Sequence, residues 1–145
     1  MSSGSKSMPN NNDRISGLNE LLRSLNPRLN DGVYVFVSVS PETDIARLEP
    51  IATFVEDEGI SLIVEESQLE GNEIDVLFRA AWITLTVNSD LNAVGLTAAV
   101  AKALADKGIS CNVVAAARHD HLFVPIEAAE AAMSVLIGLQ GQDAG

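Results

Sequence analysis

Residues 81–124, AWITLTVNSDLNAVGLTAAVAKALADKGISCNVVAAARHDHLFV, decide the fold. They open on a strand, Ala81 to Asn88, in which Ile83, Leu85 and Val87 alternate with Trp82, Thr84 and Thr86. Ser89 or Asp90 then offers a side-chain oxygen to the free amides of a helix running to about Lys107. Leu91, Val94, Thr97 or Ala98, Ala101 and Leu104 or Ala105 form its apolar stripe, and Gly108 stands at the residue after its end. Ser110 to Ala117 reads as a strand, Arg118-His119-Asp120 as a turn, and His121 to Val124 as the return strand.

Working outward, Pro125 fits the first turn of a last helix, Ile126 to Ile137, with Ile126, Ala129, Met133, Leu136 and Ile137 at helical spacing and Gly138 as its stop. Toward the N-terminus, Gly32 to Ser40 alternates Val33, Val35, Val37 and Val39 against Tyr34, Phe36, Ser38 and Ser40, which predicts an interior strand. Pro41 to Pro50 is turn-like. Ile51 to Glu66 reads as a hairpin in preference to a helix, because Ile51, Thr53, Val55 and Ile60, Leu62, Val64 alternate on either side of Glu56-Asp57-Glu58-Gly59. Ser67 to Asp75 is a short helix or an ordered loop. Ile15 to Leu25 carries leucines at helical spacing, and Pro27 prevents the helix from continuing. Residues 1–14 are polar and expected to be a disordered tail, with 139–145 a shorter flexible one.

The two halves repeat. Val33 to Ser40 matches Ala81 to Asn88 at an offset of 48, and Ile51 to Glu70 matches Cys111 to Glu130 at an offset of 60. The 12-residue difference falls where Pro41 to Pro50 in the first copy replaces the helix of Ser89 to Ser110 in the second. The expected organisation is therefore a degenerate half over 15–76 with a shortened first helix and a leading helix of its own, then a more complete half over 77–138. The second half ends in a helix with no fourth strand after it, so that strand must come from the first half or from a second chain.

Composition narrows the function classes. The chain has 145 residues, 47% hydrophobic but only 4% aromatic, enough for an aliphatic core. A net charge of -11 without a Lys/Arg cluster argues against nucleic acid and anionic membranes as partners. The single cysteine, Cys111, excludes an internal disulfide, and with no signal segment or long apolar run the expected setting is cytoplasmic. No catalytic or phosphate-cradling motif occurs, so neither an enzyme nor a cofactor is expected.

The segments Ile83 to Val87, Ala93-Val94-Gly95-Leu96, Lys107 to Val114 and His119 to Val124 resemble, in that order, an ACT domain. The resemblance extends over about Gly32 to Ile137. It is closest to small bacterial tandem ACT proteins of unassigned role, which are similar to the regulatory ACT pair of aspartate kinases and to the CASTOR arginine sensors. It implies an α+β, ferredoxin-like (βαββαβ) fold in tandem, and a regulatory role in which an amino acid is sensed at a domain or subunit interface, with a homodimer the expected assembly. It also implies a ligand-binding set of Asn88, Ser89, Asp90, Leu91, Val94, Gly95, Leu96, Asn112 and Val113. Independently, free amides at a helix start attract a carboxylate, and a glycine there admits close approach. Gly95 equally suits close helix-to-sheet packing, and Asn112 equally suits tying down a turn. Val94 departs from the family pattern, where proline often precedes that glycine.

His119 and His121 are the weakest candidates, as metal ligands: adjacent strand side chains point to opposite faces, so Asp120 would not converge with both, and neither a third histidine nor a second cysteine exists. Cys111 begins an apolar strand and is expected to be buried rather than nucleophilic. The alternative to sensing is a ligand-free assembly module that pairs through its sheet edges.

Overall fold

The computed structural model describes residues 11–87 and 95–141. Helix α1, Asn11–Arg23, begins four residues before Ile15, so the last part of the stretch expected to be a tail is helical and residues 1–10 lie outside the described residues. Its apolar side and a leucine two residues beyond its end are deeply placed: Leu22 and Leu25 are buried, and Leu18 and Leu21 pack beside them. A left-handed residue, Asn26, then turns the chain into a strand that the sequence pattern does not announce, β1, Pro27–Leu29. Proline is tolerated there because it opens a short edge strand.

Strand β2, Tyr34–Val39, forms as expected, and so does the hairpin of β3, Ala52–Glu56, with β4, Gly59–Glu65. Gly59 is required by its surroundings: an added Cβ would lie 2.9 Å from the Val39 carbonyl oxygen. Between β2 and β3 the helix of the other copy is reduced to a single 3-10 turn, Ala46–Leu48, whose Leu48 plugs the core of the first half beside Val35, Val37, Leu62 and Val64. Strand β5, Phe78–Leu85, starts three residues earlier than Ala81. Helix α2 spans Leu96–Asp106, followed by β6, Asn112–Ala115, and β7, Asp120–Pro125. After a 3-10 turn at Ile126–Ala128, helix α3 covers Ala129–Gln140.

Three expectations need correction. Asp120 does not sit in the turn but opens β7, where it is buried opposite Ala115 and Leu85. Gly138 does not stop the last helix, which runs to Gln140 with Gly141 as its cap; with helical neighbours on both sides, one glycine is a local cost rather than a terminator. Ile137 is exposed rather than in the apolar stripe, whose buried members are Ala132 and Leu136.

The repeat is visible in three dimensions. Adding 60 to β3, β4 and the following 3-10 turn, Glu66–Leu69, lands on β6, β7 and the turn at Ile126–Ala128. All strands join one antiparallel sheet in the order β3-β4-β2-β5-β7-β6, with β1 also paired to β5. The first unit is thus β3-β4-β2 completed by the start of β5, and the second is β6-β7-β5 completed by β1. The missing strand comes from the chain's own N-terminal segment. That segment is anchored by the Asn26 amide donating to the Gln140 side-chain oxygen and by the Thr86 hydroxyl donating to the Asn26 carbonyl at 2.9 Å. Helices α1, α2 and α3 pack on one another over the second unit, burying Val100, Leu104, Leu122 and Leu136.

If α1 and β1 are integral to the second unit, truncating their anchor opens a cavity beneath all three helices. Leu25→Ala is expected to cost about 2–5 kcal/mol in urea denaturation, whereas a peripheral arm would lose almost nothing.

Candidate functional site

Side chains opposite one another in an antiparallel ladder project to the same face, so register assigns every residue to one side of the sheet. Ala81, Ile83, Leu85, Leu122 and Val124 face the helices. Trp82, Thr84, His121 and Phe123 face the other way. The chain leaves β5 through buried Val87, and α2 begins at Leu96, so the segment implicated by the resemblance lies between these two fixed points.

Asn88, Ser89, Asp90, Leu91 and Val94 fall in the 88–94 segment, outside the described residues. The N-cap of α2 is Gly95 rather than Ser89 or Asp90. Its φ of 103° is left-handed, which explains the glycine, and among the described residues no side chain caps the first amides of the helix. The Gly95 α-carbon faces Leu18 of α1, whose Cδ2 would lie 3.5 Å from an added Cβ. Leu96 is buried in the core under the helices, where it fixes the start of α2. Val113 packs against the same core, but Asn112 lies on the opposite face, in register with Phe123 and Trp82. It is also three residues from Ala115, roughly 10 Å along β6, and the row of Ala115 is the one at the 88–94 end of the sheet. Gly95 and Leu96 are therefore brought together, while Asn112 is placed elsewhere.

The residue that pattern reading missed is Asp120. It is 8% exposed, stands on the helix-covered face opposite Leu85, and so lies at the end of β5 from which the chain enters 88–94. Burial raises its pKa, partly offset by the charges of His121 and His119. Beside it the His119 Nδ1 is buried with no hydrogen-bond partner among the described residues. The signal was available: Asp120, Leu122 and Val124 keep the two-residue period that assigns Asp120 to the strand and to the inner face.

His121 turns to the outer face, where its Nδ1 accepts the Trp82 indole N–H at 3.0 Å, and burial lowers its pKa below the usual histidine value. Among the described residues no cluster of three or more His, Cys, Asp or Glu could hold a metal ion. Cys111 is half-buried, and burial pushes its thiol up to about 11, which keeps it protonated and a poor nucleophile.

An ACT-domain model matches residues 15–81, and a second ACT-domain model matches residues 77–137. A Vibrio cholerae protein of unknown function, described as a possible transport protein, is 44% identical over 88% of this chain and 98% of its own, with a TM-score of 0.79. An Agobacterium tumefaciens protein is 18% identical over 79% of this chain and 87% of its own, at a TM-score of 0.66. The ligand-free regulatory subunit of aspartate kinase from Thermus thermophilus is 14% identical over 80% and 97%, at a TM-score of 0.58. The last two are likenesses of fold. None of the curated proteins matches the chain. Among the described residues no helix is long and apolar enough to cross a membrane.

The raised pKa of Asp120 fixes the sign of a stability test. A folded-state value above the unfolded one favours folding in acid, and this contribution is lost as pH rises through the folded value. Asp120→Asn is therefore expected to melt at a higher temperature than the natural protein at pH 7, with the gap closing as pH falls toward the ordinary aspartate value of 3.8. A lower melting temperature at pH 7 would mean that the ionised carboxylate stabilises the fold.

Proposed function

The chain belongs to the ACT-domain family, and from that premise we propose that it is a regulatory protein that senses an amino acid at the start of α2. The observation that carries this reading is one juxtaposition. A helix start that opens on Gly95, without a side-chain cap among the described residues, and a buried carboxylate, Asp120, flank the same strand-to-helix connection. The first suits a carboxylate, through free N–H groups and the positive end of the helix dipole. The second suits an ammonium. Together they complement an α-amino acid, whose two charges are separated by one carbon. A buried aspartate that burial disfavours in its ionised form is also a group that a cationic ligand would relieve.

The first unit offers no equivalent place. Its 3-10 turn at Ala46–Leu48 is too short to present a row of free amides, and the position 60 residues before Asp120 is Ile60, which carries no charge. One site per chain is the expectation.

A second reading has its own observation. The edge strand β3 leaves Phe54 and Val55 exposed at 72% and 76%, and an edge of that kind pairs readily with another strand. Antiparallel pairing of two copies about Phe54 would hold the acidic Glu56-Asp57-Glu58 turns apart. In this reading the protein is a homodimer, which can exist with or without the ligand site.

Calorimetry and thermal shift against the twenty amino acids test the first reading. At least one is expected to raise the melting temperature saturably, and Asp120→Asn, although folded, is expected to bind it at least tenfold more weakly, a loss of about 1.4 kcal/mol or more. Failure of all twenty to bind the natural protein would sink the sensing reading. For the second, sedimentation should show a dimer that Val55→Lys converts to monomer; an unchanged dimer would place the contact elsewhere.

A further inference from the structure

The outer face of the sheet carries an arrangement independent of the α2 site. Arg28, Thr84, His121 and Val114 form one row across β1, β5, β7 and β6, and Trp82, Phe123 and Asn112 form the next. Trp82 stacks on Phe123 with ring centres 6.2 Å apart, and Phe36 meets Phe123 and Phe78 edge to face at 5.5 and 5.4 Å. Although the helices lie on the other side, Phe123 is only 2% exposed. The reason is curl: β3 and β6, at opposite ends of the strand order, line the same hollow. One part, of about 270 Å³, is bounded by Phe36, Phe54, Ile63, Leu77 and Val114. An adjoining part, of about 130 Å³, is bounded by Ile51, Trp82, His121 and Phe123, with Ala52 and Val114 common to both.

The polar groups at the second part have a fixed direction. An indole N–H can only donate, so the His121 Nδ1 it reaches is the acceptor, and the neutral ring carries its proton on Nε2. The Asn30 amide donates to the Thr84 hydroxyl oxygen at 3.0 Å, which leaves the Thr84 proton for the same Nδ1 at 3.3 Å. Acceptors in this row are thereby used internally, and a donor, His121 Nε2–H, is left over among the described residues. Arg28, exposed and in the same row, adds a cation. An aromatic hollow with surplus donors and a positive charge at one end is complementary to an aromatic ring bearing an anionic acceptor.

We infer that the curled outer face is a second ligand site, for a small aromatic carboxylic acid, with the ring held against Trp82 and Phe123 and the carboxylate at His121 Nε2 and Arg28. The ligand needs no ammonium group, which separates this site from the one at Asp120, on the other side of the sheet.

Trp82 is the only tryptophan, so its fluorescence reports on this face alone. Titration of the full chain with phenylacetate or 3-phenylpropionate, excited at 295 nm, is expected to give a saturable change in emission. Arg28→Gln, an exposed substitution that spares the fold, should weaken binding at least tenfold, and Val114→Phe, which fills the hollow, should do the same. Benzyl alcohol should bind at least tenfold more weakly than the acids. No saturable change in the natural protein, equal affinity for benzyl alcohol, or binding unaffected by both Arg28→Gln and Val114→Phe would each overturn the assignment. So would a shift of Trp82 emission on simple dilution, which would show that a second copy occupies the face.

Discussion

The structure depends on β5 serving two units at once. On one side its first residues pair with β2, through Phe78, Arg79 and Ala80, and its last with β1, through Ile83, Thr84 and Leu85; on the other side it pairs with β7 along most of its length. Where the two units meet, Ala80 and Ala81 are almost wholly buried, and larger side chains there would push the flanking layers apart. The alternation within this strand sets everything downstream. Ala81, Ile83 and Leu85 go to the helices, and Trp82 and Thr84 to the outer face. A slip of one residue would exchange the aliphatic core for the aromatic hollow.

From that shared strand the two units diverge. The first has no α-helix between its strands, and its inner face is closed by Leu48 and Leu69 from 3-10 turns. The second keeps α2 and α3 and recruits α1, so that it combines a deep core with a helix start at Gly95. Shortening the helix of one copy removes its dipole and its row of amides while leaving its strands to complete the sheet. The two candidate sites then use opposite faces of the same strands. Asp120 serves the inner one and the adjacent His121 the outer one, because neighbouring residues on a strand point apart.

Much of this was legible in the sequence, for reasons particular residues make plain. The hairpin of β3 and β4 follows from alternation interrupted by Glu56-Asp57-Glu58-Gly59, and the repeat follows from the 60-residue offset that also relates the two 3-10 turns. What escaped were features in which tertiary context outweighs local pattern. A three-residue strand opening with Pro27 has no period to detect. Ser89 and Asp90 are plausible side-chain caps by residue type, yet the N-cap is Gly95, whose backbone is left-handed. Asp120 resembles a turn residue by composition and is a strand residue by parity. Asn112, assigned by family likeness to the helix-start site, projects from the other face, and likeness of motif carries no information on parity.

The most direct test of the shared-strand account is native-state hydrogen exchange across the whole sheet. If β5 completes both units, the slowest amides of β4 in the first unit and of β7 in the second open only with global unfolding and report the same free energy. Two separate plateaus, with the first unit exchanging through an opening that leaves the second protected, would contradict it.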